Sequence, residues 1–125
     1  MLKKLSLSLI AAITGLTACN TNTAYKNVSV SDLKSSSEPN RLILDVRQPQ
    51  EFAQGHVPGA KLIPLGELEA RLADVPNDVP VYVICQSGRR SQSASDILCK
   101  NGKTDVRNVQ GGTLAWKAAG FPVER

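Results

Sequence analysis

Two short runs of consecutive apolar residues, Leu42-Ile43-Leu44 and Val81-Tyr82-Val83-Ile84, constrain the fold of this chain more than any other feature. A strand with one face in water alternates apolar and polar side chains, so a run with no polar face belongs to a strand covered on both sides. Amphipathic stretches separate the apolar runs. That alternation predicts an α/β domain, a mostly parallel five-stranded sheet with helices on both faces. Strands are expected at 27–30, 41–46, 60–63, 80–84 and 105–109, and helices at 31–36, 49–54, 66–72, 91–100 and 113–119. In the fourth helix Ala94, Ile97 and Leu98 share one face, and Gly102 is placed to stop it.

The chain has 125 residues, one small domain's worth, and its start does not read as part of that domain. Lys3 and Lys4 precede an uncharged run over 5–18, the order of a secretory signal. At about 1.5 Å per residue the run spans about 21 Å, short of the roughly 30 Å hydrocarbon core that a permanent transmembrane helix must cross. It ends in Leu16-Thr17-Ala18-Cys19, which resembles a bacterial lipobox. Cys19 is then the lipidated mature N-terminus, held by two or more acyl chains at a membrane facing the periplasm. Asn20 stands where inner-membrane retention uses an aspartate, which favours the outer membrane; cleavage nearby to release a soluble periplasmic protein is the alternative. The expected division is a signal peptide over 1–18, an anchored tether over 19–24 and one domain over 25–125. Loss of Lys3 and Lys4 lowers the formal charge from +4 to +2. What remains has no basic run with interleaved aromatics, which argues against a nucleic-acid partner.

Chemistry concentrates after the second apolar run, where Cys85-Gln86-Ser87-Gly88-Arg89-Arg90 leads into the helix expected from Ser91. Ligands in such sheets bind at the carboxyl ends of strands, which is where Cys85 falls. Gly88 can take a positive φ, so a tight loop can turn its backbone N–H groups inward and make an anion cradle with a sulfur atom at its base. Moving a thiol from about 8.5 to about 7 requires about 2 kcal/mol of preference for the thiolate. A helix N-terminus supplies about 0.3–1 kcal/mol and a cation at 4 Å up to about 4 kcal/mol, so the helix start with Arg89 or Arg90 is sufficient. The plainer alternative is a core cysteine ending a strand. Cys99 would lie about 12 Å along the helix from Ser91, whereas a disulfide needs Cα atoms about 4.4–6.8 Å apart, so Cys85 and Cys99 should not pair. Cys99 reads as a small packing residue. An exported domain that keeps an unpaired Cys85 needs a use for it.

The loop from Cys85 to Arg90 resembles the active-site loop of the rhodanese-like sulfurtransferases. Leu44-Asp45-Val46-Arg47, Glu51-Phe52 and Gly55-His56-Val57-Pro58-Gly59-Ala60 resemble the family's N-terminal signature. Asn108-Val109-Gln110-Gly111-Gly112, Ala115-Trp116 and Gly120-Phe121-Pro122-Val123 resemble its C-terminal end. Lys103 departs from the pattern, since many members carry an aromatic there, a change that bears on packing more than on chemistry. The resemblance implies a rhodanese-like three-layer domain. Outside the loop, His56 is expected as a hydrogen-bonded structural residue, and Asp45, Arg47 and Glu51 as an ion pair and a turn cap rather than a metal or acid/base cluster. Gly111 and Gly112 are expected to allow close backbone approach at the edge of the site, and Trp116 to lie in the core.

The resemblance implies a thiosulfate sulfurtransferase working through a Cys85 persulfide, with Gln86, Ser87, Gly88, Arg89 and Arg90 binding the anionic donor. Sulfur would pass to cyanide or a thiol, with no metal or organic cofactor. A persulfide carrier serving a partner protein would use the same residues. A phosphatase or arsenate reductase is the third reading, but those folds place an arginine six positions after the cysteine, where this chain has Ser91; Arg90 lies five on.

Overall fold

The computed structural model describes residues 25–125, so the expected signal peptide, Cys19 and the tether lie outside the described residues. Five strands, β1 (Lys26–Val28), β2 (Leu42–Asp45), β3 (Lys61–Leu62), β4 (Val81–Ile84) and β5 (Val106–Val109), form one sheet in the order β1-β5-β4-β2-β3. Every neighbouring pair is parallel. The helices are α1 (Val30–Ser35), α2 (Pro49–Ala53), α3 (Arg90–Lys100) and α4 (Gly112–Ala118), with a 3-10 segment over Leu65–Asp74. This is the expected α/β architecture, with every strand pair in the sheet parallel.

The apolar runs place successive side chains on opposite faces, as the two-residue repeat of a strand requires. On one face Leu44, Val81, Val83 and Val106 pack with Leu68 of the 3-10 segment and with Ala94 and Leu98 of α3. On the other, Ile43, Tyr82, Ile84 and Val109 pack with Val30 and Leu33 of α1 and Trp116 of α4. Both faces are covered, which explains why neither run carries a polar face.

Two local departures have identifiable causes. Strand β1 stops at Val28 because Ser29 caps α1: its hydroxyl accepts from the Asp32 amide at 3.0 Å, and the Asp32 carboxylate accepts from the Ser29 amide at 2.9 Å. That capping box draws Val30, expected in the strand, into the helix. The helix expected over 66–72 is a 3-10 segment interrupted at Arg71 (φ −123°, ψ 27°). Leu65, Leu68 and Leu72 repeat at three and four residues, a spacing that serves either helix type.

The connection leaving β2 runs toward β3 and that leaving β4 toward β5, in opposite directions along the sheet. The carboxyl ends of these neighbouring strands therefore flank a topological switch point, where α/β sheets open a crevice. Lys103 helps to close the loop between the 3-10 segment and β4. Only 7% exposed, it donates from Nζ to the carbonyls of Val75 (2.6 Å) and Leu72 (3.2 Å) and to Asn77 Oδ1 (2.7 Å).

Candidate active site

Cys85 follows β4 directly and is 1% exposed. The backbone beyond it is fixed by the start of α4. Thr113 donates from its amide (2.8 Å) and its hydroxyl (3.1 Å) to the Cys85 carbonyl, and the Leu114 amide donates to the Gln86 carbonyl at 3.1 Å. In a trans peptide the C=O and the following N–H point in opposite directions. Holding these two carbonyls against α4 therefore turns the Gln86 and Ser87 amides the other way, into the loop. The approach is so close that a Cβ on Gly112 would meet the Cys85 carbonyl oxygen at 2.5 Å and the Gln86 carbonyl at 2.6 Å, and Gly112 has φ +61°. This is the close backbone approach expected of Gly111 and Gly112.

Gly88, at φ +104°, brings its amide to 3.1 Å from Cys85 Sγ, and the Ser91 hydroxyl lies 3.5 Å from the same sulfur. Burial pushes the Cys85 thiol up. Hydrogen bonds from the Ser91 hydroxyl and from the amides of Ser91, Gly88 and Ser87 more than offset it, leaving the thiol below its ordinary value. The source of that lowering is hydrogen bonding from the loop and helix start, the part of the expected stabilisation that came from inward amides, and no guanidinium is among its main causes. Ser91, read only as the start of a helix, is the residue missed. Its signal was the spacing: six positions after a cysteine that ends a strand, the first turn of the next helix returns to the sulfur.

Arg90 is engaged in a two-pronged pair with Glu51, both contacts at 2.8 Å, while its charge still acts on the Cys85 sulfur. Arg89 is exposed and pairs with no carboxylate among the described residues. Glu51 also accepts from the Gln48 amide at 2.9 Å, the cap of α2. Mainly through Arg90, and despite partial burial, its carboxyl is pushed down to about 2. Asp45 pairs with the buried Arg47 at 2.8 Å, and Arg47 also donates to the Gly55 carbonyl (2.9 Å) and to Gln86 Oε1 (3.3 Å), tying the end of β2 to the loop after β4. The expected ion pair and turn cap are both present, Asp45 with Arg47 and Glu51 on the Gln48 amide, and Glu51 makes a second ion pair with Arg90. His56 stacks on Phe52 at 3.6 Å, with Nδ1 2.9 Å from the Phe52 carbonyl, a structural placement as expected. Cys85 and Cys99 are both thiols; Cys99 is buried on α3 and Trp116 lies in the core. A cavity of about 190 Å³ bounded by Leu33, Lys34, Arg41, Ile43, Val57 and Trp116 includes no residue of the Cys85 loop.

The chain is 45% identical over 74 residues to the Bacillus subtilis protein YqhL, covering 59% of each chain. It is 41% identical over 83 residues to the putative sulfur carrier protein YrkF of the same organism, covering 66% of this chain and 45% of YrkF. Against the thiosulfate sulfurtransferase GlpE of Pseudoalteromonas translucida it is 30% identical over 97 residues, covering 77% of this chain and 92% of that one. Among solved structures, a rhodanese-like domain protein from Staphylococcus aureus superposes with a TM-score of 0.70 at 34% identity, over 80% of this chain and 99% of that one. The chain spans less than two thirds of YqhL and of YrkF. The family model for the rhodanese-like domain matches residues 29–119, and the chain belongs to the rhodanese-like sulfurtransferase family.

Proposed function

We propose that this protein is a thiosulfate sulfurtransferase that carries sulfur as a persulfide on Cys85. The observation that carries the reading is the convergence of the Gly88 amide and the Ser91 hydroxyl on Cys85 Sγ, which favours a thiolate inside a loop of backbone donors. The Cys85 thiolate attacks the outer sulfur of thiosulfate. A sulfur–sulfur bond forms to Cys85, the original one breaks, and sulfite leaves with the electron pair. The persulfide sits where the loop amides from Gln86 to Arg90 can hold its negative charge. A thiolate or cyanide then attacks the outer sulfur and releases Cys85 as thiolate, giving an acceptor persulfide or thiocyanate. The relationship to GlpE supports thiosulfate as donor.

Incubation with thiosulfate alone should add one sulfur atom to Cys85 and none to Cys99, read by intact mass and peptide mapping, and cyanide should remove it as thiocyanate. Cys85→Ser should abolish the adduct and Cys99→Ser preserve it; sulfur on Cys99 with Cys85 unmodified would refute the mechanism. The relationship to YrkF favours a persulfide carrier as second reading, in which loading proceeds but small acceptors turn over poorly. Phosphatase activity should be negligible, because the loop is one residue short and Arg90 is held by Glu51. We further propose attachment to the outer membrane through lipidated Cys19. Cys19→Ala should lose the acyl mass and the partition into detergent.

A further inference from the structure

We propose that Glu51 is a specificity-determining residue that sets the charge at the mouth of the Cys85 loop, disfavouring doubly charged sulfur donors relative to singly charged ones. The inference rests on the sulfurtransferase reading above. Both terminal nitrogens of Arg90, the first residue of α3, are engaged by the Glu51 carboxylate at 2.8 Å. The carboxylate cannot easily swing aside, because the same Oε1 that binds Arg90 also accepts from the Gln48 amide at 2.9 Å. Glu51 comes from the connection after β2 and Arg90 begins the helix after β4, so the pair spans the switch point, and Arg90 is within electrostatic reach of Cys85.

A fixed pair of this kind carries no net charge. Among the described residues no carboxylate pairs with Arg89, so of the two loop arginines it is the one left to meet an incoming donor. A dianion such as thiosulfate feels the Glu51 carboxylate twice as strongly as a monoanion that presents the same outer sulfur. The carboxyl holds its charge throughout the neutral range, since Arg90 keeps it far below the ordinary glutamate value. A simple brace between α2 and α3 would affect every donor alike, whereas a charge filter separates donors by their charge.

The test compares thiosulfate with benzenethiosulfonate, a monoanion that transfers the same sulfur and releases benzenesulfinate. Thiocyanate formation by the full-length protein is read for wild type, Glu51→Gln and Glu51→Asp. Glutamine can still accept from the Gln48 amide, so the cap of α2 survives. In Glu51→Gln the ratio of kcat/KM for thiosulfate to that for benzenethiosulfonate should rise about three- to tenfold at low ionic strength. The gain should shrink in about 0.5 M salt. Glu51→Asp, which keeps the charge, should stay close to the wild-type ratio. An unchanged ratio, or an equal loss with both donors, would overturn the inference and leave the sulfurtransferase reading standing. No turnover of either donor by the wild type would overturn that reading and the inference with it.

Discussion

Toward the amino ends of the strands, Arg107 donates to Asp105 (2.9 Å), Glu38 (2.8 Å) and the Tyr82 hydroxyl (2.6 Å), and that hydroxyl donates to Glu38 at 2.9 Å. Toward the carboxyl ends, Arg47 and Arg90 are likewise matched by Asp45 and Glu51. The two ends are therefore alike in their charged pairs. They differ in what surrounds the sulfur: at the carboxyl end the Gly88 amide donates to Cys85 Sγ, and the Ser91 hydroxyl lies within hydrogen-bond reach of the same polarisable atom. An abundance of charge does not mark the candidate site. Polar hydrogens gathered around a buried sulfur do.

Gly112→Ala tests that contrast most severely. The added methyl group would strike the Cys85 and Gln86 carbonyls, which are backbone and have nowhere to go, at a positive φ. A loss of about 2–4 kcal/mol in chemical denaturation is expected, with persulfide formation reduced by more than tenfold. Wild-type activity in this variant would mean that the latch between α4 and the loop does not set the site.

Ser91→Ala sharpens the comparison by removing one donor. The Cys85 thiol should move up toward its ordinary value, so the rising limb of the pH–rate profile for persulfide formation shifts to higher pH. Near neutrality the rate should fall about three- to tenfold, converging with wild type once both are thiolates. A lowered native thiol value adds stability at high pH, and that stability is lost as the pH falls through the native value; the variant should lose part of it.

At the amino end, Arg107→Gln should cost about 1 kcal/mol in thermal or denaturant unfolding and leave kcat/KM unchanged, because its network is partly exposed and holds no reacting atom. The smallest effect belongs to acid. Glu51 is pushed down to about 2, so its pairing contributes fully above the ordinary glutamate value near 4.5 and is lost as the pH falls toward about 2. An acid titration followed by circular dichroism should therefore lose this contribution only below about pH 4.

The central strands were legible because their apolar runs admit only a doubly covered position. The end of β1 was harder to read, although Ser29 and Asp32 stand at capping-box spacing, since Val28 and Val30 also suit an extended strand. The 3-10 segment was hidden because its leucine spacing does not distinguish helix types. In the site, Cys85 and Gly88 could be read locally. That Arg90 belongs to Glu51, 39 residues earlier, could not, because the partnership is made by two strands meeting at the middle of the sheet.

The grip of α4 on the loop has a consequence for exchange with solvent. Amides at the first turn of a helix ordinarily have no internal acceptor and exchange their hydrogens readily. Those of Thr113 and Leu114 are instead bonded to the Cys85 and Gln86 carbonyls, and Gly112 and Thr113 are buried. Deuterium should therefore enter these two positions on the slow timescale of the central strands. The Cys85 sulfur would then be held by a part of the molecule that opens only when the domain as a whole unfolds.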